Sequence, residues 1–113
     1  MNNLGQEAEQ FAATFLQQQG LKLLEKNYSC KFGEIDLIMR DSKSLVFVEV
    51  RLRKNSNFGG AAASITYSKQ LKLRKTAEFY LQQHGNSPCR FDAILMQQAS
   101  MDGIEWIKNA FES

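Results

Sequence analysis

An α/β fold, a mixed sheet between helices, is predicted by three observations. Segments of helical period alternate with short Val, Ile and Phe-rich runs in the order αβββαβ. The central two runs are apolar on both faces, which calls for cover on both sides of the sheet. With 113 residues and 43% hydrophobic content, the chain has enough apolar mass for one core, so residues 1–113 are expected to form a single domain.

The first helix is predicted over Gln6 to Gln19, where Ala8, Phe11, Ala12, Phe15 and Leu16 recur at i, i+3, i+4, i+7 and i+8. Gly20 ends it. Glu9 lies at the margin of that stripe, about 20° from Leu16 at 100° per residue. It is placed either to be solvated or to reach around toward the sheet. Leu21 to Tyr28 reads as a first strand.

The next two strands form the hairpin on which the functional reading rests. Gly33 to Arg40 and Leu45 to Arg53 flank the turn residues Asp41-Ser42-Lys43-Ser44. A two-residue turn or a four-residue loop gives one register, in which Asp36 faces Glu49 and Glu34 faces Arg51. Directly opposed Cβ atoms stand roughly 4.5–5.5 Å apart, where like charges repel, so the Asp36–Glu49 pair requires a cation. Asp36, Ile38, Phe47 and Glu49 then share one face, with Ile35, Leu37, Val46, Val48 and Val50 on the other. One or two carboxylates with waters and substrate phosphates are what Mg²⁺ takes. The same residues also fit an ion-paired sheet rim in which Arg51, Glu34 and Arg53 neutralise one another.

After Arg53 the run Asn55 to Ser64 is a connection of small residues. A long helix is predicted from Thr66 to His84, buried through Leu73, Ala77, Tyr80 and Leu81. Gln70 falls in that stripe and needs a hydrogen-bond partner there, near the site. His84 falls on the core-facing side as a structural residue. Lys72 and Lys75 point outward beside Leu71 and Phe79, a face that suits nucleic acid or a second subunit. A last large strand from Arg90 to Gln97 follows, and its helical crossover predicts that it runs parallel to the second hairpin strand. Met101-Asp102-Gly103 turns into Ile104-Glu105-Trp106-Ile107, and Phe111 returns to the core.

Net charge is only +2, but seven of the 14 Lys and Arg lie between Val50 and Ala77, a span without Asp or Glu. That segment fits an anionic polymer. The first twenty residues hold no apolar run, so neither a signal peptide nor a membrane span is expected and the location expected is cytoplasmic. Cys30 and Cys89 have no Cys or His at ligand spacing, which argues against zinc and for free thiols.

The hairpin resembles the PD-(D/E)xK motif of restriction-endonuclease-like nucleases, with Ile35-Asp36 in place of Pro-Asp and Glu49-Val50-Arg51 in place of Glu-x-Lys. Across nearly its whole length the chain is identified as a member of the YraN family of uncharacterised bacterial proteins. The carrying stretches are Glu9-x-x-Ala12-x-x-Phe15-Leu16-x-x-x-Gly20, Gly33 to Ile38, Val46 to Arg51 with Arg53, Gly59 to Ser64, Ser68-Lys69-Gln70, Arg90-Phe91-Asp92 and Trp106-Ile107-Lys108-x-Ala110-Phe111.

The resemblance implies a restriction-endonuclease-like αβββαβ core, akin to archaeal Holliday junction resolvases, and a Mg²⁺- or Mn²⁺-dependent endonuclease acting on DNA, including branched DNA. It implies Glu9, Asp36 and Glu49 as metal ligands, and Asp36, Glu49 and Arg51 as the catalytic set. Arg51 stands where the motif has Lys and does not readily lose a proton, so its implied role is to neutralise charge on the phosphate. Glu34 is expected to partner Arg51 or support the ligands, and Gln70 to support them. Arg53, Lys54, Lys69, Lys72 and Arg74 are expected to contact phosphates. By analogy with resolvases that make paired cuts, a homodimer is expected. The alternative is a nucleic-acid-binding module that keeps the fold without turnover.

Overall fold

A computed structural model describes residues 4–52 and 65–112 of the chain. The elements in order are α1 (Leu4–Gln18), β1 (Lys22–Cys30), β2 (Gly33–Asp41), β3 (Ser44–Leu52), α2 (Tyr67–His84), β4 (Cys89–Met96) and β5 (Glu105–Phe111). The expected connection from Asn55 to Ser64 and the candidate phosphate contacts Arg53 and Lys54 lie outside the described residues.

α1 forms because its apolar stripe has a sheet to cover. Ala8, Ala12, Ala13 and Leu16 are buried, with Phe11 and Phe15 at the margin. Gly20, at φ +100°, reverses the chain, its N–H donating to the Gln17 carbonyl while Leu21 N–H donates to Leu16, the paired bonds of a glycine-terminated helix. α2 starts at Thr66, whose side-chain oxygen accepts from Lys69 N–H at 3.1 Å. It buries Leu73, Thr76, Ala77 and Tyr80.

The sheet has the order β1-β2-β3-β4-β5. The β2–β3 hairpin turns on Ser42 and Lys43 with Ser42 in the left-handed region, and pairs Asp41 with Ser44, Ile38 with Phe47 and Leu37 with Val48, the predicted register. β4 runs parallel to β3, from Leu45↔Cys89 to Leu52↔Met96, as the crossover through α2 requires. β1 and β5 are antiparallel edges.

One core lies on each face. Leu37, Met39, Val46, Val48, Ile94 and Met96 pack under α1, while Ile38, Phe47, Phe91 and Ala93 pack with Leu73, Ala77 and Tyr80 of α2. Val46, Val48, Phe47 and Ile38 are almost wholly covered, each such side chain contributing about 1.5–3 kcal/mol of transfer free energy.

Two expectations need correction. Ile35 packs with Ile38 and Phe47 rather than with Leu37. Strict alternation fails here because Asn27, opposite Asp36 between the pairs Lys26↔Leu37 and Tyr28↔Ile35, has φ +54° and turns the pleat. The C-terminal segment is also more than a turn and a packed Phe. It forms β5, with Trp106 opposite Ile94 and a register shift between Phe91 and Ala93.

Candidate active site

The β2–β3 backbone ladder ends at Leu37↔Val48, one residue short of the acidic pair. Beyond it a side chain takes over, since Asp36 Oδ2 accepts from Val50 N–H at 2.8 Å. That bond fixes the Asp36 carboxylate beside Glu49, which lies two residues on from Phe47 and points to the α2 side of the sheet.

Glu49 is 5% exposed. Burial and then the Asp36 charge push its carboxyl up to about 7, with a hydrogen bond between the two carboxyl groups adding to the rise and Lys69 and Arg51 opposing it. Lys69 Nζ stands 3.7 Å and Arg51 Nη1 3.4 Å from Glu49 Oε2. Both cations are about one-third exposed, so they offset the burial only in part.

Glu9 reaches around from α1 to the same place. Its carboxyl is raised by burial, then by the Asp36 charge and a hydrogen bond with Asp36, against a hydrogen bond from Asn27 that lowers it, while Glu34 adds a smaller repulsion. Asp36 is therefore the middle member, touching Glu9 from the α1 side and Glu49 on the α2 side. Asn27 is not among the residues that the sequence pattern singles out. An Asn inside a strand, a residue type that tolerates the left-handed region, is the signal that could have found it.

The other predicted residues divide. Arg51 pairs with Glu49, its neighbour two along the same strand, and not with Glu34, which is exposed and faces Ser29 in the β1–β2 ladder. A same-face i, i+2 contact needs no long-range register, so it wins over the expected cross-strand pair. Lys69, expected on a phosphate, sits against Glu49. Gln70 Nε2 donates to the Ile65 carbonyl at 3.0 Å and so braces the first turn of α2 that carries Lys69. Lys72 is exposed beside the Gly33 turn. Arg74 bonds the Glu112 carbonyl at 3.0 Å and lies 5.4 Å from the Phe111 ring centre, which places it against the C-terminal strand. His84 is exposed as a residue but stacks on Tyr80 at 4.0 Å and meets its carbonyl through Nδ1, a structural contact.

Among the described residues no group of three or more His, Cys, Asp or Glu side chains is arranged to hold a metal ion. The donor chemistry of the pair nevertheless fits a hard divalent cation, which takes one or two carboxylates and completes its shell with water and phosphate oxygens. A buried carboxyl raised by its neighbour is the state such a cation would relieve. Cys30 and Cys89 are free thiols, and among the described residues no helix is long and apolar enough to cross a membrane.

Residues 8–96 match the model of a family described as Uncharacterised protein family UPF0102. A UPF0102 protein of Nitrosomonas europaea is 61% identical over 97% of this chain and 94% of its own length. Another, from Methylobacillus flagellatus, is 54% identical over the whole of both chains. A third, from Psychromonas ingrahamii, is 54% identical over 98% of this chain and 91% of its own.

Proposed function

The chain belongs to the uncharacterised protein family UPF0102, and from that premise we propose that it is a metal-dependent DNA endonuclease that hydrolyses phosphodiesters, including those of branched DNA. The observation that carries this reading is the pairing of buried Glu49 with Asp36, unrelieved by full neutralisation, with Glu9 on one side and Arg51 and Lys69 on the other. A structural acid is normally satisfied by fixed donors. This one is met by two partly exposed cations at the long end of ion-pair range.

Asp36 and Glu49, joined by Glu9 directly or through water, would hold Mg²⁺ or Mn²⁺. When bound, the ion supplies charge neutralisation at the scissile phosphate and a lowered pKa for an attacking water. Arg51, already aimed at Glu49, stabilises negative charge that grows on the phosphate in the transition state. Lys69 swings between Glu49 and a phosphate oxygen, so its ion pair holds it ready beside the substrate. The Asp36–Val50 hydrogen bond keeps the central carboxylate in one orientation, which limits the reorganisation needed when DNA arrives.

The test is cleavage of labelled four-way junction, flap, single-strand and duplex DNA with Mg²⁺ or Mn²⁺, wild type beside Asp36→Asn and Glu49→Gln. Cutting is expected in the wild type and a loss of at least about 100-fold in each variant. A readout besides activity is the ¹³C titration of the Glu49 carboxyl, which millimolar Mg²⁺ should shift downward. DNA bound without cutting, and a Glu49 titration indifferent to Mg²⁺, would replace this reading with the binding module.

A further inference from the structure

The outer face of α2 carries features that the carboxylate site does not use. The turn after β1 lays Lys31 and Phe32 onto that face, forming a groove of about 300 Å³ lined by Lys31, Phe32, Lys75, Glu78, Phe79 and Gln82. Phe32 is 39% exposed, and its ring meets Phe79 edge-on at 6.0 Å with Lys31 Nζ 5.2 Å from its centre. Gly33, at φ +150° and without a side chain, suits this close approach of the turn to α2. A Cβ there would stand 3.2 Å from Thr76 Oγ1 and 3.7 Å from Lys72 Cβ.

The groove is one end of a longer stripe. Tyr67, Leu71, Lys75 and Phe79 follow one another at intervals of four on α2, each beside the next, in a ridge that winds about 120° around the helix from end to end. Tyr67 is 70% and Leu71 39% exposed. The ridge begins in the same first turn of α2 as Lys69, which pairs with Glu49 on the sheet side while Tyr67 stands on the outer side, and it ends about 18 Å farther along the helix axis, twelve residues at 1.5 Å each. Its charge is mainly basic, with Lys31 and Lys75 against Glu78 in the groove and Lys72 beside the Gly33 turn. Exposed aromatic rings interleaved with lysines are what an unpaired nucleic-acid strand requires, since its bases offer free π-faces and its phosphates offer negative charge. A continuous duplex has its base faces covered and gains only the electrostatic part.

We propose that the outer face of α2, with the Lys31–Phe32 turn, is a track for an unpaired DNA strand: Phe32, its edge held by Phe79, and Tyr67 each stack a nucleobase, Lys31, Lys72 and Lys75 hold its phosphates, and the strand leaves the track around the first turn of α2, the end that carries Lys69 beside Glu49. Glu78 and Gln82 offer acceptors to a ring N–H or amino group on the edge of the stacked base, for thymine its N3–H. This rests on the nuclease reading for the role of the carboxylates, and it narrows the substrate to DNA with a single-stranded arm.

The test is fluorescence anisotropy in EDTA with three labelled probes: a twelve-residue oligo-dT, an abasic oligonucleotide of the same backbone length, and a twelve-base-pair duplex. Wild type is expected to bind oligo-dT roughly tenfold tighter than the abasic strand, the scale of one stacked base. Phe32→Leu, and independently Tyr67→Ser at a position too exposed to matter for folding, should narrow that gap severalfold with abasic binding unchanged. Equal affinity for oligo-dT and the abasic strand would overturn the proposal, as would a concentration-dependent dimer lost in Phe32→Leu while oligonucleotide binding stays the same. Base-dependent binding without any cutting would keep the track and remove the nuclease. Cutting that needs Asp36 and Glu49 but shows no base dependence would do the reverse.

Discussion

Two buried acids on this sheet live under opposite conditions. Asp92, on β4, is 1% exposed and accepts from Arg90 Nε at 3.1 Å, Trp106 Nε1 at 3.0 Å and Asn109 N–H at 3.0 Å. Arg90 in turn pairs with Asp41 at 3.0 Å. Glu49, on β3, is almost as buried, yet among the described residues no fixed neutral donor meets it and another carboxylate stands beside it. Burial is common to both, and the donor set separates them: Asp92 is satisfied by groups fixed in the fold and ties β5 to β4, whereas Glu49 is left with a demand that an added cation can meet.

The sharpest way to break this contrast is to remove Asp92. Asp92→Ala takes the acceptor from Trp106 Nε1–H and Asn109 N–H and leaves Arg90 with Asp41 as its remaining carboxylate, and should cost about 2–3 kcal/mol in urea unfolding. A loss below about 1 kcal/mol would mean that the cluster does not clasp β5 to β4. Glu49→Gln, at comparable burial, is expected to move stability in the other direction at neutral to alkaline pH. The folded Glu49 holds its proton up to about 7, while the unfolded chain releases it near the ordinary 4.5. Between those values the folded state binds the extra proton, so wild-type stability falls as pH rises through the window. Glu49→Gln should flatten that fall and leave the protein roughly 1–2 kcal/mol more stable at pH 8. Parallel curves for the two proteins from pH 5 to 8 would show that Glu49 is not strained.

Much of this arrangement is legible in the order of residues alone. The period of α1, the turn residues at 41–44 and the long helix ahead of the last large strand suffice for two core layers, the hairpin register and the parallel β3–β4 pair, because each is a local pattern with few geometric solutions. The meeting of Asp36 and Glu49 follows from that register. What escapes depends on contacts that no period encodes. β5 is interrupted by the polar Lys108-Asn109, with Asn109 at φ +53°, and it closes only because Asp92 accepts from Asn109 N–H and from Trp106. Alternation can place Asp92 on a face of β4 but cannot name its donors. The kink at Asn27 likewise turns Ile35 to the α2 side, and the α2 lysine expected on phosphate lies on Glu49.

The smallest effect tests the finest part of the contrast, that the cations at Glu49 are adjustable and not structural. Lys69 is about one-third exposed and stands 3.7 Å from Glu49, so Lys69→Met should change stability by no more than about 1 kcal/mol. Its charge is nevertheless one of the two that hold the Glu49 carboxyl down, and removing it should raise that carboxyl further, as read from its ¹³C titration. An unmoved or lowered Glu49 would mean that Arg51 alone supplies the counter-charge. A rise with little loss of stability would show a cation that the fold does not need and that is free to leave Glu49 for a phosphate, which the tightly bonded Arg90 beside Asp92 is not.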